Sequence, residues 1–566
     1  MLSFRWYAIS GIGFLLFLFL QVFPNSGSLS EPGSGRVLDR EGTRAQALSY
    51  AAEKWGIRPD AADRVEVTHL SDSGTVGYLS KERLVQTYDK SWDARFPTDV
   101  YEVDIRTSGG GERLRLALHM QTGELVAWTR GGTGAGASGL IGRQAAPAAS
   151  SAAASAAEPA TREQTADALA WIGQLRYDES EWEPTGDAAP DGAVVLQSRK
   201  TGLGEARLQL LVKPEERLTY RYVLPDAYTA YMAGQEKIAA KLSIFGFVLP
   251  MLTLFVLAVI YAATYSGWTS FRRGIFLSSA FFLLYAGFTF NLKAGFRAQV
   301  AAETGVTGDG GVMGLLIVNL VIYAAMALLT YFSAVGGDGL WRSMGYTLWP
   351  RWRDPGYGSH VLRSVGQGYV LAMILLGAQS VILVVLQALL GSFYSSDASQ
   401  SMYNMAYPWL LPLLGWCAGI SEELQSRLFS IGMFRRWFVG GASRLLRREP
   451  SRRTAATLTL AAMVPASAIW AFGHVGYAVY PVHTRLIELT LMGLLFGWFM
   501  LRFGLLTVVF AHVVLDSTLM GVQMLTDGLP ADNGGGIVSF LLPAVVGIAV
   551  WWLRSRFPGR SVARPL

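Results

Sequence analysis

The fold is decided by the stretch Gly419-Ile420-Ser421-Glu422-Glu423-Leu424-Gln425-Ser426-Arg427-Leu428-Phe429, which lies inside an otherwise apolar run from Pro408 to Ile431. A carboxylate at the centre of a membrane-spanning helix costs about 2.5–3.5 kcal/mol on insertion scales, so a helix with three ionisable groups needs polar partners. Two candidate partners are His474, in Trp470-Ala471-Phe472-Gly473-His474, and His512, in His512-Val513-Val514-Leu515-Asp516. Both motifs again lie in long apolar runs. The rest of the chain is interpreted as a frame that holds these three segments together.

The composition indicates a membrane protein. Of 566 residues, 51% are hydrophobic and only 16% are charged, which is typical of a polytopic membrane protein with some soluble mass and not of a soluble enzyme. The net charge of +6 sits in loops beside apolar segments, so it indicates topology, and no nucleic-acid partner is expected. The single cysteine, Cys417, excludes a disulfide or a cysteine-based metal site within the chain.

Apolar segments predict the membrane spans. Phe4 to Phe23 is one such segment, and no small-residue cleavage pattern precedes Asn25, so residues 1–24 are interpreted as a signal anchor and not as a removed signal peptide. Hydropathy predicts nine further spans: 242–264, 274–292, 312–334, 367–391, 408–431, 458–482, 484–501, 505–525 and 537–553. The predicted fold class is a polytopic α-helical membrane protein with about ten transmembrane helices and an extracytoplasmic α+β region after the first helix.

The charges of the loops predict how the chain is oriented. Every second loop is basic, and the loop 432–457 carries seven arginines against Glu449 alone. Positive loops face the cytoplasm, so both termini are expected to be cytoplasmic and residues 25–240 extracytoplasmic, in the plasma membrane of a bacterium. The same arginines could instead attract anionic lipid head groups. Residues 554–566 form a basic cytoplasmic tail.

The polar region 25–240 is predicted to contain two related α+β modules, 25–130 and 159–240, joined by a flexible Gly/Ala/Ser-rich linker at 131–158. Thr43-Arg44-Ala45-Gln46 and Thr161-Arg162-Glu163-Gln164 both have the spacing of a capping box that opens a helix. Period-two strands follow each helix, around 114–121 and 206–213. The segment Gln121-Thr122-Gly123-Glu124-Leu125-Val126, after its helix and strands, resembles small PepSY-type modules; a generic α+β spacer is the alternative.

The ionisable residues of the three membrane segments could form one site. Glu423 and Arg427 are four residues apart and can pair along one helix face, whereas Glu422 points about 100° away. His512 and Asp516 are also four apart. A buried carboxylate can act as a base on water, an imidazole can share the proton, and a second imidazole can donate to an oxyanion. The alternative is a structural polar network that locks helices together.

The order Glu-Glu-x-x-x-Arg, aromatic-x-x-x-His, His-x-x-x-Asp on successive spans resembles the CAAX-processing and bacteriocin-processing (CPBP, Abi) intramembrane proteases, whose eukaryotic relative is the Ras-converting CAAX endopeptidase. The resemblance covers about 405–530. It implies a catalytic core at 401–553, preceded by accessory helices at 241–400. It also implies that Glu422 and His474 activate water, that His512 and Asp516 stabilise the oxyanion, and that Glu423 and Arg427 brace the site.

Three departures from the family pattern bear on efficiency. Trp470 stands where the family usually has phenylalanine, and Ser426 and Leu428 flank Arg427 where bacterial members commonly have phenylalanine and glycine. Asp516 replaces an asparagine of the eukaryotic enzyme, and an ionised acid donates no hydrogen bond.

The metal content is left open by the sequence. The chain contains no His-Glu-x-x-His motif, but Glu422, His474 and His512 could supply a three-ligand zinc site. Since water activation and oxyanion binding would use both histidines, a glutamate-dependent protease without a cofactor is favoured, with zinc as the alternative. The predicted function is hydrolysis of a peptide bond in a membrane-associated protein or peptide, in the lipid bilayer. The competing function is a non-catalytic membrane sensor or immunity protein. The oligomeric state is not predicted.

Overall fold

A computed structural model of the chain describes residues 2–25, 36–60, 63–107, 112–132, 140–141, 159–189, 191–304 and 311–557. Most of the predicted linker at 131–158 and most of the predicted tail at 554–566 lie outside the described residues. Within them the chain forms an antiparallel sheet domain and a bundle of long helices.

The helices, numbered in chain order, are α1 Phe4–Phe17, α2 Arg40–Trp55, α3 Ser73–Glu82, α4 Val85–Ser91, α5 Arg162–Gln174, α6 Asp226–Leu242, α7 Leu249–Thr264, α8 Ile275–Asn291, α9 Lys293–Thr304, α10 Val312–Ser343, α11 Tyr357–Leu390, α12 Leu413–Glu422, α13 Gly432–Leu446, α14 Arg452–Phe472, α15 Val482–Phe503, α16 Leu505–Thr526 and α17 Asn533–Arg556. Three π-helical segments, Leu18–Val22, Ser243–Val248 and Glu423–Ile431, continue α1, join α6 to α7 and join α12 to α13.

The strands are β1 Arg64–Ser71, β2 Asp99–Arg106, β3 Glu112–His119, β4 Leu125–Gly132, β5 Trp182–Ala188, β6 Val194–Ser198, β7 Arg207–Lys213, β8 Arg217–Val223, β9 Phe393–Tyr394 and β10 Val479–Tyr480. The first eight form one sheet in the order β1-β2-β3-β4-β8-β7-β6-β5, and β9 pairs with β10.

The sheet domain joins the two predicted modules edge to edge. Each module contributes four strands, and they meet where β4 pairs with β8 antiparallel, with Trp128 opposite Leu218 and Thr129 opposite Arg217. Most of the buried apolar side chains of both modules belong to one hydrophobic core, which includes Leu116 of the first module and Leu210 of the second. An edge strand exposes unpaired backbone groups, so the pairing of β4 with β8 covers one edge of each module.

One of the two predicted capping boxes is confirmed and the other is wrong. Thr161 caps α5: its hydroxyl accepts from the backbone N–H of Gln164 at 3.2 Å, and the Gln164 side chain accepts from the Thr161 N–H at 2.9 Å. α2 instead begins after Asp39, whose carboxylate accepts from Gly42 N–H at 2.7 Å. Asp39 is itself a favourable N-cap and stands four residues earlier, so Thr43 falls inside the first turn of the helix.

Long apolar helices give the chain the architecture of a multi-pass membrane protein. Among the described residues, eight segments are long and apolar enough to cross a membrane: Phe4–Val22, Asp226–Thr264, Val312–Ser343, Tyr357–Leu390, Arg452–Phe472, Val482–Phe503, Leu505–Thr526 and Pro530–Arg556. Helices α8 and α9 meet at a bend of 59° and count together as a ninth. The segment Leu413–Leu446, which carries the Glu-Glu-x-x-x-Arg motif, is not among them. The number of about ten spans and the orientation of the termini stay predictions.

Two helix boundaries differ from the sequence interpretation. The predicted span 458–482 ends earlier, at Phe472, so His474 lies on a turn and not inside a helix. Gly473, Gly476 and Pro481 explain this end, because glycine and proline both disfavour a continuing helix. The other boundary is the start of the predicted span 242–264. In the structure this span is part of a longer helical segment, Asp226–Thr264, which leads from the sheet domain into the bundle.

The sheet domain is fixed to the helix bundle by the segment that precedes α12. Asn404 is fully buried, and its side-chain amide bonds both backbone groups of His69 on β1, at 2.8 and 2.9 Å. Arg297 of α9 pairs with Glu66 on the same strand at 2.7 Å. These contacts fix β1 to Asn404 and to α9, and α12 begins further along the chain from Asn404, at Leu413.

Candidate active site

Helix α12 packs closely against α16, and two glycines allow the approach. A Cβ atom at Gly415 would lie 2.8 Å from Cβ of Asp516, and one at Gly419 would lie 2.7 Å from Cγ2 of Val513. Small residues four apart let membrane helices approach to backbone contact. The approach places the glutamates at the end of α12 beside His512 on α16.

The helix changes its winding where the motif begins. α12 ends at Glu422, and a π-helix runs from Glu423 to Ile431. Such widened turns are rare and are frequent at functional sites. All nine residues of the segment are buried.

The two adjacent glutamates occupy different environments. The side chain of Glu423 is fully buried, and its Oε1 lies 2.8 Å from Nδ1 of His512. The side chain of Glu422 is 21% exposed and faces the turn that carries His474. Glu423 therefore belongs to the interior, whereas Glu422 can be reached by a small molecule.

Arg427 balances the charge of Glu423 without a hydrogen bond. Its Nε lies 3.5 Å from Oε2 of Glu423, and among the described residues none of its three nitrogens has a hydrogen-bond partner. The guanidinium instead lies over the rings of Trp470 and Phe496, 4.0 and 5.0 Å from their centroids. A cation over an aromatic face is attracted by the ring quadrupole, so the two rings share in stabilising this buried charge.

The imidazole of His474 is oriented by its own turn. Its Nδ1 lies 2.9 Å from the backbone oxygen of Trp470, so Nδ1 carries the proton and donates. Its Nε2 then has a free lone pair and lies 3.8 Å from Oε1 of Glu422. This is the tautomer that can accept a proton from water near the carboxylate.

His512 meets three carboxylates. Its Nδ1 donates to Glu423, while its Nε2 lies 3.9 Å from Oε2 of Glu422 and 3.6 Å from Oδ2 of Asp516. A doubly protonated ring would therefore have acidic neighbours at both nitrogens. The predicted pairing of His512 with Asp516 is present, at a distance longer than a hydrogen bond.

All six residues singled out from the sequence come together in the structure: Glu422, Glu423, Arg427, His474, His512 and Asp516. They converge from α12, the π-helix, the turn after α14, and α16. The structure thus brings the three segments together at one site.

Trp470 is the residue whose role the sequence interpretation missed. Its indole N–H donates a short hydrogen bond to Oε2 of Glu422, and its ring carries Arg427. The sequence interpretation treated Trp470 only as an aromatic replacement for phenylalanine. The available signal was chemical, because tryptophan has a ring N–H donor that phenylalanine lacks.

The carboxylate and imidazole groups of the site are also possible metal ligands. Among the described residues, no group of three or more His, Cys, Asp or Glu side chains is arranged to hold a metal ion. The glutamate-dependent protease and the zinc-dependent alternative both stay predictions.

The comparisons with known proteins locate a family in this part of the chain. Residues 404–518 match the model of the Rce1-like family, described as type II CAAX prenyl endopeptidase Rce1-like. Neither the curated proteins nor the solved structures gave a match. The matched residues begin at Asn404, whose side chain bonds the backbone of His69, and they contain all six residues of the site. The match confirms, over residues 404–518, the CAAX-protease resemblance predicted from the order of the motifs.

Proposed function

We propose that the chain is an intramembrane endopeptidase of the CAAX type, which hydrolyses a peptide bond of a membrane-associated protein or peptide with water activated by Glu422. The Rce1-like segment supports the reaction class. The convergence of both histidines on one accessible carboxylate supports the mechanism, and this observation carries the proposal.

The distances suit a water molecule held between these groups. Nε2 of His474 and Nε2 of His512 lie 3.8 and 3.9 Å from different oxygens of Glu422, which is too long for direct hydrogen bonds. A single water oxygen can bridge atoms at such a separation with two normal hydrogen bonds. The Trp470 N–H holds Oε2 in position, so the carboxylate meets the water in one orientation.

The proposed hydrolysis has two steps, attack by water and cleavage of the C–N bond. The water oxygen attacks the scissile carbonyl carbon while its proton passes to Glu422, and a tetrahedral oxyanion forms. His512 donates from Nδ1 to Glu423, and in its doubly protonated form it also donates from Nε2 to that oxyanion. The C–N bond breaks, and Glu422 returns the proton to the leaving nitrogen, which yields one carboxylic acid and one amine.

The remaining residues hold this arrangement. Arg427 balances the charge of Glu423, and Asp516 lies beside Nε2 of His512, where it can orient the ring. Asp516 can itself donate to the oxyanion only when protonated. Glu423 and Arg427 act as positioning residues because neither faces Glu422's accessible side.

The test compares the full chain with Glu422→Gln in cells. Glutamine keeps the size of the side chain but cannot act as a base, so cleavage should fall on the order of 10²- to 10⁴-fold while folding is retained. Quantitative mass spectrometry of membrane peptides would show products in parent cells that are missing in the variant. Glu449→Gln, at an exposed position, is the matched control. Identical membrane peptides in parent and Glu422→Gln cells would contradict the proposal and support a structural role for the same residues.

Treatment with a zinc chelator distinguishes the glutamate mechanism from a metal-dependent mechanism. Cleavage by the purified chain that survives a strong zinc chelator supports the glutamate mechanism. Cleavage that is lost on chelation and restored by zinc alone would replace it with a metal-dependent one.

We further propose that both termini face the cytoplasm and that the sheet domain lies outside, in a bacterial plasma membrane. The alternation of basic loops supports this orientation. Cys417 is buried, so single cysteines introduced at 345, 445 and 530 can be labelled selectively. An impermeable reagent should label only position 530 in intact cells, and labelling at 445 would reverse the orientation.

A further inference from the structure

A second polar cluster lies beside the candidate site and is not used by the mechanism above. It consists of Gln379 on α11, Arg485 and Glu488 at the start of α15, and Tyr477 on the turn after His474. Glu488 is fully buried and accepts two hydrogen bonds from Nη1 of Arg485, both at 2.8 Å, and one from Nε2 of Gln379 at 2.8 Å. Three hydrogen bonds on one buried carboxylate fix its position.

The anchored guanidinium contacts the ring of Tyr477. The central carbon of Arg485 lies 5.2 Å from the centroid of that ring. Because both oxygens of Glu488 accept from Nη1 of Arg485, the guanidinium is anchored at that nitrogen and lies over the ring of Tyr477. Tyr477 is 55% exposed and sits on a turn, so this contact supports one face of an exposed ring.

Tyr477 in turn stacks on His474. The two rings are nearly parallel, with an interplanar angle of 14° and a centroid distance of 5.6 Å. On another side of the imidazole, Trp470 contacts it edge-on at 5.2 Å. One hydrogen bond from Nδ1 does not fix the plane of an imidazole, and the flanking rings supply that restraint.

We propose that Tyr477 and Arg485 are positioning residues for His474. Glu488 and Gln379 anchor Arg485, Arg485 supports the ring of Tyr477, and Tyr477 holds the imidazole with Nε2 toward Glu422. The inference rests on the proposed function only in naming Glu422 and His474 as the groups that activate water.

The kinetic test removes each contact separately. Tyr477→Leu should lower kcat on the order of 10- to 100-fold with KM nearly unchanged, because a small misplacement of a catalytic group acts on the chemical step. Tyr477→Phe keeps the ring and should retain activity within about threefold. Tyr480→Leu is the matched control, since Tyr480 lies on the same turn region and packs on Phe393 instead. An equal loss in Tyr480→Leu would show that the turn merely needs aromatic side chains.

The ion pair is tested with both partners removed together. Arg485→Leu with Glu488→Leu leaves no unpaired buried charge, so the effect on kcat reports the lost support and not a destabilised fold. The triple variant that adds Tyr477→Leu should lose no more kcat than Tyr477→Leu alone, since the ion pair acts through that ring. Independent, multiplying losses would overturn the relay from Arg485 through Tyr477.

A spectroscopic measurement needs no turnover. Purified full chain labelled with ¹⁵N-histidine should give one signal set for His474, with Nδ1 protonated, and the His474→Gln variant assigns it. Tyr477→Leu should broaden or split that set, while Tyr477→Phe and Tyr480→Leu should not. If the His474 signals of Tyr477→Leu are unchanged and its kcat equals that of the parent, the positioning role is refuted, even where Glu422→Gln is inactive. Conversely, changed spectra with a fully active Glu422→Gln would refute the proposed mechanism and leave the positioning role standing.

Discussion

Two buried ion pairs of this molecule are built in opposite ways. In the sheet domain, Asp104 is 4% exposed and accepts hydrogen bonds from Arg113 at 2.8 and 2.8 Å and from Arg106 at 2.9 and 2.5 Å. In the helix bundle, Glu423 is fully buried, yet Arg427 approaches it only to 3.5 Å and makes no hydrogen bond within the described residues.

The difference follows from what each carboxylate has to do. Asp104 has only a structural task, and aligned charge-assisted hydrogen bonds satisfy it. Glu423 gives Oε1 to His512 and leaves Oε2 without a hydrogen bond within the described residues, while Arg427 supplies charge from 3.5 Å and takes its own stabilisation from aromatic rings. Undersatisfied buried groups cost free energy, and they are expected where a site requires them.

Removing Arg427 should give the largest effect on stability. Arg427→Leu leaves Glu423 buried without its cation, so the free energy of unfolding should fall by about 3–5 kcal/mol. Denaturation of the purified chain in detergent measures it.

The matched variant in the sheet domain is Arg113→Leu, which leaves Asp104 paired with Arg106. Its loss should be smaller, about 1–3 kcal/mol. Equal losses in the two variants would remove the contrast drawn between the pairs.

The glycine contact between α12 and α16 should give the next largest effect. Gly419→Ala introduces a Cβ atom 2.7 Å from Val513, and overpacking of this kind costs about 1–3 kcal/mol. Cleavage should fall with it, because the same contact places the glutamates beside His512. Gly366→Ala is the control, since a Cβ atom there meets nothing within 4 Å, and it should be neutral or slightly stabilising. A Gly419→Ala chain as stable and active as the parent would argue against close packing as the device that assembles the site.

Trp470→Phe isolates one hydrogen bond. Phenylalanine keeps a ring beneath Arg427 but lacks the N–H that Glu422 accepts, so kcat should fall about tenfold, which corresponds to about 1.4 kcal/mol. Stability should change by less than about 1 kcal/mol, because phenylalanine keeps an aromatic ring beneath the guanidinium of Arg427. Steady-state kinetics and unfolding of the same preparation measure both. A large loss of stability with unchanged kcat would assign Trp470 to packing alone.

The smallest effect concerns Asp527, which lies between the segments Leu505–Thr526 and Pro530–Arg556. Burial, together with the neighbouring carboxylate of Asp532, raises the pKa of Asp527 to about 7. The folded chain therefore binds this proton more tightly than the unfolded chain, in which the pKa is about 3.9. Its contribution to stability is present below about pH 4 and is lost as the pH rises to about 7. Asp527→Asn should weaken the decrease of Tm with rising pH, by about one or two degrees between pH 5 and pH 8. Parallel slopes in parent and variant would rule Asp527 out as the responsible group.

Much of the architecture could be read from periodicity and charge. Apolar runs predicted the long helices, and the spacing of Thr161 and Gln164 predicted a helix start that the structure confirms. These succeed because local sequence alone sets helix length and capping. The order of motifs around Glu422, His474 and His512 likewise predicted the CAAX-protease family before any fold was known.

Local sequence patterns did not predict helix boundaries correctly where two capping signals compete or where tertiary packing sets the conformation. Asp39 replaced Thr43 as the cap of α2, and α14 ended before His474, although an apolar run continued. The π-helix from Glu423 has no sequence signature of its own.

The sequence by itself determined which residues carry charge inside the membrane helices, and therefore that they need one another. Only the tertiary structure decided how they are paired: Glu423 with His512, Trp470 with Glu422, and Arg427 against aromatic rings. The physical reason is that a carboxylate's partner is chosen by which helices touch. Here that choice is made by the glycines of α12, which have no side chain to keep α16 away.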